Sequence, residues 1–171
     1  AKEKGAYRYF NGSDFHTGEF FEMRGYTSEK WTTLKNEISK SGIRNGYLQA
    51  IAPNSTTSII AGSTASIDPI FNRIYSEEKK GLKIPVVVPD LNEKTMFLYK
   101  SGYHIDQHWS IKQNAMRQKH IDQGISFNLY VPAGIKAKEL LDLHVEAWKS
   151  GMKTTYYVRS TSQKEMEECD S

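Results

Sequence analysis

The chain has 171 residues, 38% hydrophobic and 25% charged, which suits a single globular unit and excludes a disordered polar chain. Its apolar runs, Ile84–Val88 and Ile59–Ala61, fall far short of the roughly 20 residues of a membrane-spanning helix and are too short for a signal-peptide core. A net charge of +3 does not point to nucleic acid, and a lone cysteine, Cys169, excludes an internal disulfide framework or a cysteine-based zinc site.

Residues 1–26 are rich in Gly, Tyr and Phe without helical or alternating period and read as irregular. Ser28 can cap a helix from Glu29, with Trp31, Leu34 and Ile38 at helical spacing and Gly42 ending it. Tyr47–Ala52 reads as a buried strand that stops at Pro53, and Asn54–Ser58 opens a short helix to about Ala61. Gly62 to Pro69 is turn material, and a further strand is expected over Lys83–Val88, before Pro89. Asp106 to Asp122 reads as a helix with Trp109, Gln113, Met116 and His120 at helical spacing. Ile125–Val131 alternates as a strand does, and Pro132–Gly134 turns the chain. Leu140, Leu141, His144, Val145 and Trp148 then mark a helix that Gly151 closes, and Lys153–Arg159 is a β-branched, aromatic strand. Strand, helix and strand at this spacing form a βαβ unit with parallel pairing. Beyond Ser160 the chain is Ser-, Gln- and Glu-rich and is expected to be mobile. The chain opens without a methionine and stops at Glu167-Glu-Cys-Asp-Ser171, so a piece of a longer or split protein is expected.

Three features could carry chemistry. In Ala52-Pro-Asn-Ser-Thr-Thr-Ser58 a strand delivers Pro53, Asn54, Ser55, Thr56, Thr57 and Ser58 onto the first turn of a helix. Backbone N–H groups and the positive end of a helix dipole gather there, small side chains let an anion approach, and hydroxyls add donors. That arrangement suits a phosphate or pyrophosphate. An ordinary cap with spare hydroxyls fits the spacing equally well. In Lys153-Thr-Thr-Tyr-Tyr-Val158 the adjacent Tyr156 and Tyr157 read first as strand residues on a half-buried surface. The alternative is a redox pair, because a phenol loses an electron and a proton together when a neighbour accepts the proton. Cys169 stands in an acidic tail whose carboxylates disfavour the thiolate; it is either an incidental thiol or one that travels to a disulfide and exchanges with it. The histidines are scattered, and His104 and His108 make only a weak metal candidate.

Three stretches together resemble the C-terminal part of the large, catalytic subunit of class I ribonucleotide reductase. They are Ala50-Ile-Ala-Pro-Asn-Ser-Thr-Thr-Ser-Ile-Ile-Ala-Gly62, Lys119-His-Ile-Asp-Gln-Gly-Ile-Ser126 and Leu143-His-Val-Glu-Ala-Trp-Lys-Ser-Gly-Met-Lys-Thr-Thr-Tyr-Tyr157. The resemblance implies an α/β fold, the closing portion of that family's ten-stranded α/β barrel, over residues 1–160, with a flexible, truncated redox tail at 161–171. It implies that Asn54–Ser58 hold the diphosphate of a ribonucleoside diphosphate. Tyr157 would receive an oxidising equivalent from the small, radical-generating subunit and Tyr156 would pass it on. The helix at about Lys136–Ser150 would line the groove for the small subunit's tail, and Cys169 would be the first of a reducing cysteine pair.

The family's thiyl-radical cysteine, its reducing cysteines and its catalytic Asn and Glu have no counterpart in this chain. The expected partners are therefore the remaining N-terminal part of the large subunit, the small subunit that carries the radical cofactor, and a thioredoxin- or glutaredoxin-type reductant. No metal or cofactor of its own, no nucleic acid and no membrane are expected; a cytoplasmic location and self-association are. The competing reading is a non-enzymatic nucleotide- or phosphate-binding module, or a module that only docks the small subunit.

Overall fold

The computed structural model describes residues 1–79 and 81–161. They divide into two compact units, Ala1–Gln49 and a second beginning at Ala50, where the sequence reads as one. The boundary falls inside the apolar stretch 47–52, which no Pro, Gly or charge run marks as a linker.

The first unit is helical: α1 (Asp14–Thr17), α2 (Glu19–Glu22) and α3 (Glu29–Ser41). The first two helices, expected as irregular chain, have four residues each, too few to express a period. Ser13 caps α1 by accepting the His16 N–H. Gly18, at φ 90°, closes α1 and opens α2 at once, and a Cβ there would stand 2.2 Å from the Lys35 side chain. Phe10, Phe15, Phe21 and Ile38 form the core of this unit. Phe15 stacks on Phe20 at 4.2 Å, and Trp31 of α3 stacks on Tyr26 at 4.2 Å; of the expected α3 positions Ile38 is buried, while Trp31 and Leu34 stay exposed.

The second unit opens with α4 (Thr56–Ile60), followed by the antiparallel hairpin of β1 (Ile74–Lys79) and β2 (Leu82–Val87), paired from Ile74↔Val87 to Lys79↔Leu82. Strand β1 was not legible, because Ser and charged residues fill its second half. Then come α5 (Gln107–Gln118), β3 (Leu129–Val131), α6 (Ala137–Lys149) and β4 (Val158–Ser160). β3 and β4 pair in parallel with α6 between them, which is the expected βαβ unit. The strand expected at 47–52 reduces to one parallel bridge, Ile51 to Ile125, with the Ser126 N–H donating 2.9 Å to the Ile51 carbonyl.

The core of the second unit is built on Ile125, Phe127, Leu129 and Val131, covered by Ile111 and Ala115 of α5, Leu143 and Ala147 of α6, and Met152. The periodic positions of α5 had been expected at Trp109, Gln113, Met116 and His120; these face outward, and the buried face is Gln107, Ser110, Ile111, Asn114, Ala115 and Gln118. Polar residues serve there because backbone groups satisfy them. Gln107 donates to the Gly102 and Ile105 carbonyls at 3.0 and 2.8 Å and accepts the Tyr130 N–H at 3.0 Å. Gln118 donates to the Ile121 and Gln123 carbonyls at 2.9 and 2.7 Å. On α6, likewise, Leu143 and Ala147 are buried while Leu141 and Trp148 face out. Gly102 lets the chain pass close to Tyr130, since a Cβ would lie 3.0 Å from the Tyr130 ring and push it by a few tenths of an ångström.

Phe127 is fully enclosed, so Phe127→Ala should destabilise the unit by about 3–5 kcal/mol in urea unfolding. Trp148, 74% exposed, should change it by no more than about 0.5 kcal/mol when replaced by Ala. Burial, with the Asp68 carboxylate behind it, pushes the Tyr130 phenol up to about 12 from 10.0. The fold therefore favours the protonated phenol. Its contribution is complete below pH 10 and is lost as pH rises through 12, on the order of 2 kcal/mol. Tyr130→Phe should flatten that part of the alkaline stability curve.

Candidate active-site cleft

The loop from Pro53 to Ser58 lies on the surface, with Pro53, Asn54, Ser55, Thr56 and Thr57 exposed and only Ser58 buried. Its shape is held from within. The Ser66 N–H donates 2.9 Å to the Asn54 carbonyl, with Ser66 at φ 59°, and the Ser63 N–H donates 2.9 Å to the Ser58 carbonyl. The Ser58 hydroxyl donates to the Ser55 carbonyl, so Ser58 braces the turn instead of presenting its proton outward. Helix α4 has five residues, and its first residue is preceded by Ser55 without a side-chain cap. A dipole summed over so few peptides is weaker than that of a long helix. Ser55, Thr56 and Thr57 bring exposed hydroxyl side chains to this loop, beside the backbone N–H groups of the first helical turn.

Tyr156 and Tyr157 sit just before β4. The Tyr156 N–H donates 2.8 Å to the Phe127 carbonyl, and the Leu129 N–H donates 2.9 Å to the Tyr157 carbonyl, so both tyrosines are fastened to the buried strand through their backbone. Their ring centroids are 4.1 Å apart, and the Tyr156 hydroxyl donates to that of Tyr157 at 3.4 Å. That hydrogen bond, with the charge that would develop on Tyr157, raises the Tyr156 pKa above the ordinary phenol value. The rings are 48% and 55% exposed. Two phenols in contact with a shared hydrogen bond can exchange a hydrogen atom without solvent between them.

A cleft of about 460 Å³ opens beside the loop. Ser55 and Ser58 line it from the loop, Tyr75 and Val86 from the hairpin, and Asn128, Tyr130 and Arg159 from the paired strands. The phenol rings of Tyr156 and Tyr157 do not line it. Two lining residues reach them instead: the Asn128 side chain accepts the Tyr157 N–H at 3.1 Å, and the Arg159 guanidinium lies 5.9 Å from the Tyr157 ring centroid. Behind Asn128 stands Asp68, which accepts from the Asn128 backbone N–H at 3.1 Å and from its side-chain amide. Burial raises the Asp68 carboxyl above the usual carboxylate range, against the opposing pull of the Asn128 hydrogen bonds and the Arg159 charge.

Asp68, Asn128, Tyr130 and Arg159 were missed as site residues. Asp68 and Asn128 are 60 positions apart, and no spacing links them. The available signal was Asn128 itself, an amide on the second face of an alternating apolar strand. Cys169, and all of the expected tail except Thr161, lie outside the described residues. Of the weak metal candidates, His104 ends a short 3₁₀ turn and His108 pairs with Glu146; among the described residues no three His, Cys, Asp or Glu side chains converge. No helix among them is long and apolar enough to cross a membrane.

Residues 1–158 match the family model of the ribonucleotide reductase barrel domain. The chain is 54% identical over 162 residues to the ribonucleoside-diphosphate reductase subunit alpha of Treponema pallidum, covering 95% of this chain and 19% of that protein. It is 42% identical over 176 residues to the subunit alpha of Helicobacter pylori strain 26695, covering 95% and 22%. The chain thus spans about a fifth of the length of these relatives. Among solved structures it resembles the Actinobacillus ureae class Id ribonucleotide reductase alpha subunit, with TM-score 0.56 and 24% identity over 92% of this chain and 36% of that one. A match that runs through both compact units carries the assignment: the chain belongs to the ribonucleotide reductase barrel-domain family.

Proposed function

We propose that this chain supplies the closing part of a ribonucleoside-diphosphate reductase large subunit, working in the cytoplasm with the remaining part of that subunit and a small, radical-generating subunit. The observation that carries this reading is the cleft that Ser55 and Ser58 share with Asn128, which accepts the Tyr157 N–H, and with Arg159, whose guanidinium lies 5.9 Å from the Tyr157 ring centroid. An oxidising equivalent enters at Tyr157 and passes to Tyr156 along their hydroxyl contact, then onward to a cysteine that this chain does not carry. The substrate's diphosphate rests against the hydroxyls of Ser55, Thr56 and Thr57, with Pro53, Asn54 and Ser58 shaping the turn and Arg159 supplying the nearby cation. The complete enzyme removes the ribose 2′-hydroxyl, and thiols provide the two electrons. Cys169 takes part in their renewal by disulfide exchange, served in turn by a thioredoxin- or glutaredoxin-type protein. The radical cofactor belongs to the small subunit. A free-standing phosphate-binding module would have no use for a hydrogen-bonded tyrosine pair near its cleft.

The test is reduction of a ribonucleoside diphosphate by this chain combined with the rest of the large subunit and the small subunit. Tyr156→Phe and Tyr157→Phe should each reduce turnover to background with substrate binding intact, and undiminished turnover in either would end the relay assignment. Replacing Ser55 and Thr56 together by Ala should raise KM about tenfold, the loss of hydrogen bonds to a charged group, with kcat little changed.

A further inference from the structure

Asn128 is 3% exposed and Asp68 8%, and the hydrogen bonds around them leave little freedom. An ionised carboxylate only accepts hydrogen bonds. Asp68 takes one from the Asn128 backbone N–H, at 3.1 Å, and one from the Asn128 side-chain amide. This second bond fixes which way the Asn128 amide faces: its nitrogen must point to Asp68, so its oxygen points to the Tyr157 N–H, 3.1 Å away. Without that carboxylate the amide can turn over, and an NH₂ group would then meet the Tyr157 N–H, donor against donor. Tyr157 lies where the strand pairing is irregular. Its carbonyl accepts from Leu129 and the N–H of its neighbour Tyr156 donates to Phe127, while its own N–H goes to a side chain. A displaced Tyr157 backbone would carry its ring off the 4.1 Å contact with Tyr156.

We infer that Asp68 and Asn128 are a positioning pair for the tyrosine relay, Asp68 setting the orientation of the Asn128 amide and Asn128 holding the Tyr157 backbone in register. The inference rests on the relay reading proposed above. It separates the two residues from substrate binding in a checkable way. Asn128 lines the cleft but Asp68 does not, so Asp68 acts on the reaction through Asn128.

The experiment uses the large subunit carrying this chain, assayed with its small subunit, in the variants Asp68→Asn, Asn128→Asp and the double exchange. Asp68→Asn sets two amide NH₂ groups against each other, and Asn128→Asp sets two carboxylates against each other. The double exchange restores every bond: the amide at 68 donates to one oxygen of the carboxylate at 128, the other oxygen accepts the Tyr157 N–H, and the amide oxygen at 68 accepts the backbone N–H of 128. Each single exchange should lower kcat by about tenfold or more, and Asp68→Asn, outside the cleft, should leave the KM for the nucleoside diphosphate within about twofold, the expected consequence of misaligned reacting groups. The double exchange should return kcat to within about threefold of wild type. Single variants that keep wild-type kcat, or a double exchange no better than the singles, would overturn the inference. If a single variant does not fold, the double exchange decides: recovery supports the pair, and a kcat still about tenfold down overturns it. Tyr156→Phe, run in parallel, separates the two levels. Lost turnover there with indifferent exchanges at 68 and 128 removes the positioning pair alone, whereas retained turnover removes the relay and the pair together.

Discussion

The parallel pairing of the buried strand 127–131 with the segment 156–160 is the constraint on which the second unit depends. Phe127, Leu129 and Val131 are enclosed, and their backbone is what Tyr156, Tyr157 and β4 bond to. Parallel strands need a long connection, and α6 supplies it while covering the same core through Leu143 and Ala147. The tyrosines therefore inherit the rigidity of a close-packed interior through their main chain while their rings stay half in solvent. That combination suits a transfer that requires a fixed distance on one side and an approachable surface on the other.

Charge is arranged around the same strand. The two faces of 125–131 are treated differently: the odd-numbered residues meet only apolar side chains, whereas Asn128 and Tyr130 meet Asp68, Gln107 and the cleft. Asp68 is buried with its hydrogen bonds met by Asn128, and the Arg159 charge opposes the cost of leaving water. A half-satisfied polar cluster at this depth would destabilise the sheet, so the completeness of the Asp68–Asn128–Tyr157 connection bears on stability as much as on geometry.

Local chemistry was legible and long-range chemistry was not. The cap-rich turn at 54–58, helices α3, α5 and α6 and the parallel βαβ unit follow from capping residues, spacing and terminal glycines, all of which act within a few positions. The inward face of α5 is not legible in the sequence because it carries Gln107, Asn114 and Gln118, whose burial depends on carbonyls that only the folded chain brings near. Strand β1 escaped notice because Ser76 and its charged neighbours offer no apolar alternation. The stretch at 47–52 misled in the opposite sense, since apolar residues straddling a boundary between units need not form a ladder. Asp68 was visible only as a carboxylate within turn material; its partner lies on a strand 60 residues later.

The short α4 changes how anion recognition in this cleft should be understood. A long helix brings a field that acts over its whole first turn, whereas five residues bring little. The Ser58 and Ile59 N–H groups are engaged by the Ser55 carbonyl, and the Ser58 hydroxyl is directed to the same atom. The turn carries short hydroxyl side chains beside its first-turn N–H groups, and Ser55 and Ser58 share a cleft with Arg159. Hydroxyls orient an anion without supplying charge, and a guanidinium supplies charge with a planar fork of donors. Arg159 also stands near the Tyr157 ring, so one cation lies beside both the cleft and the tyrosine pair. Under the proposed function, an anion bound in the cleft would draw on the same positive charge that the tyrosine ring feels.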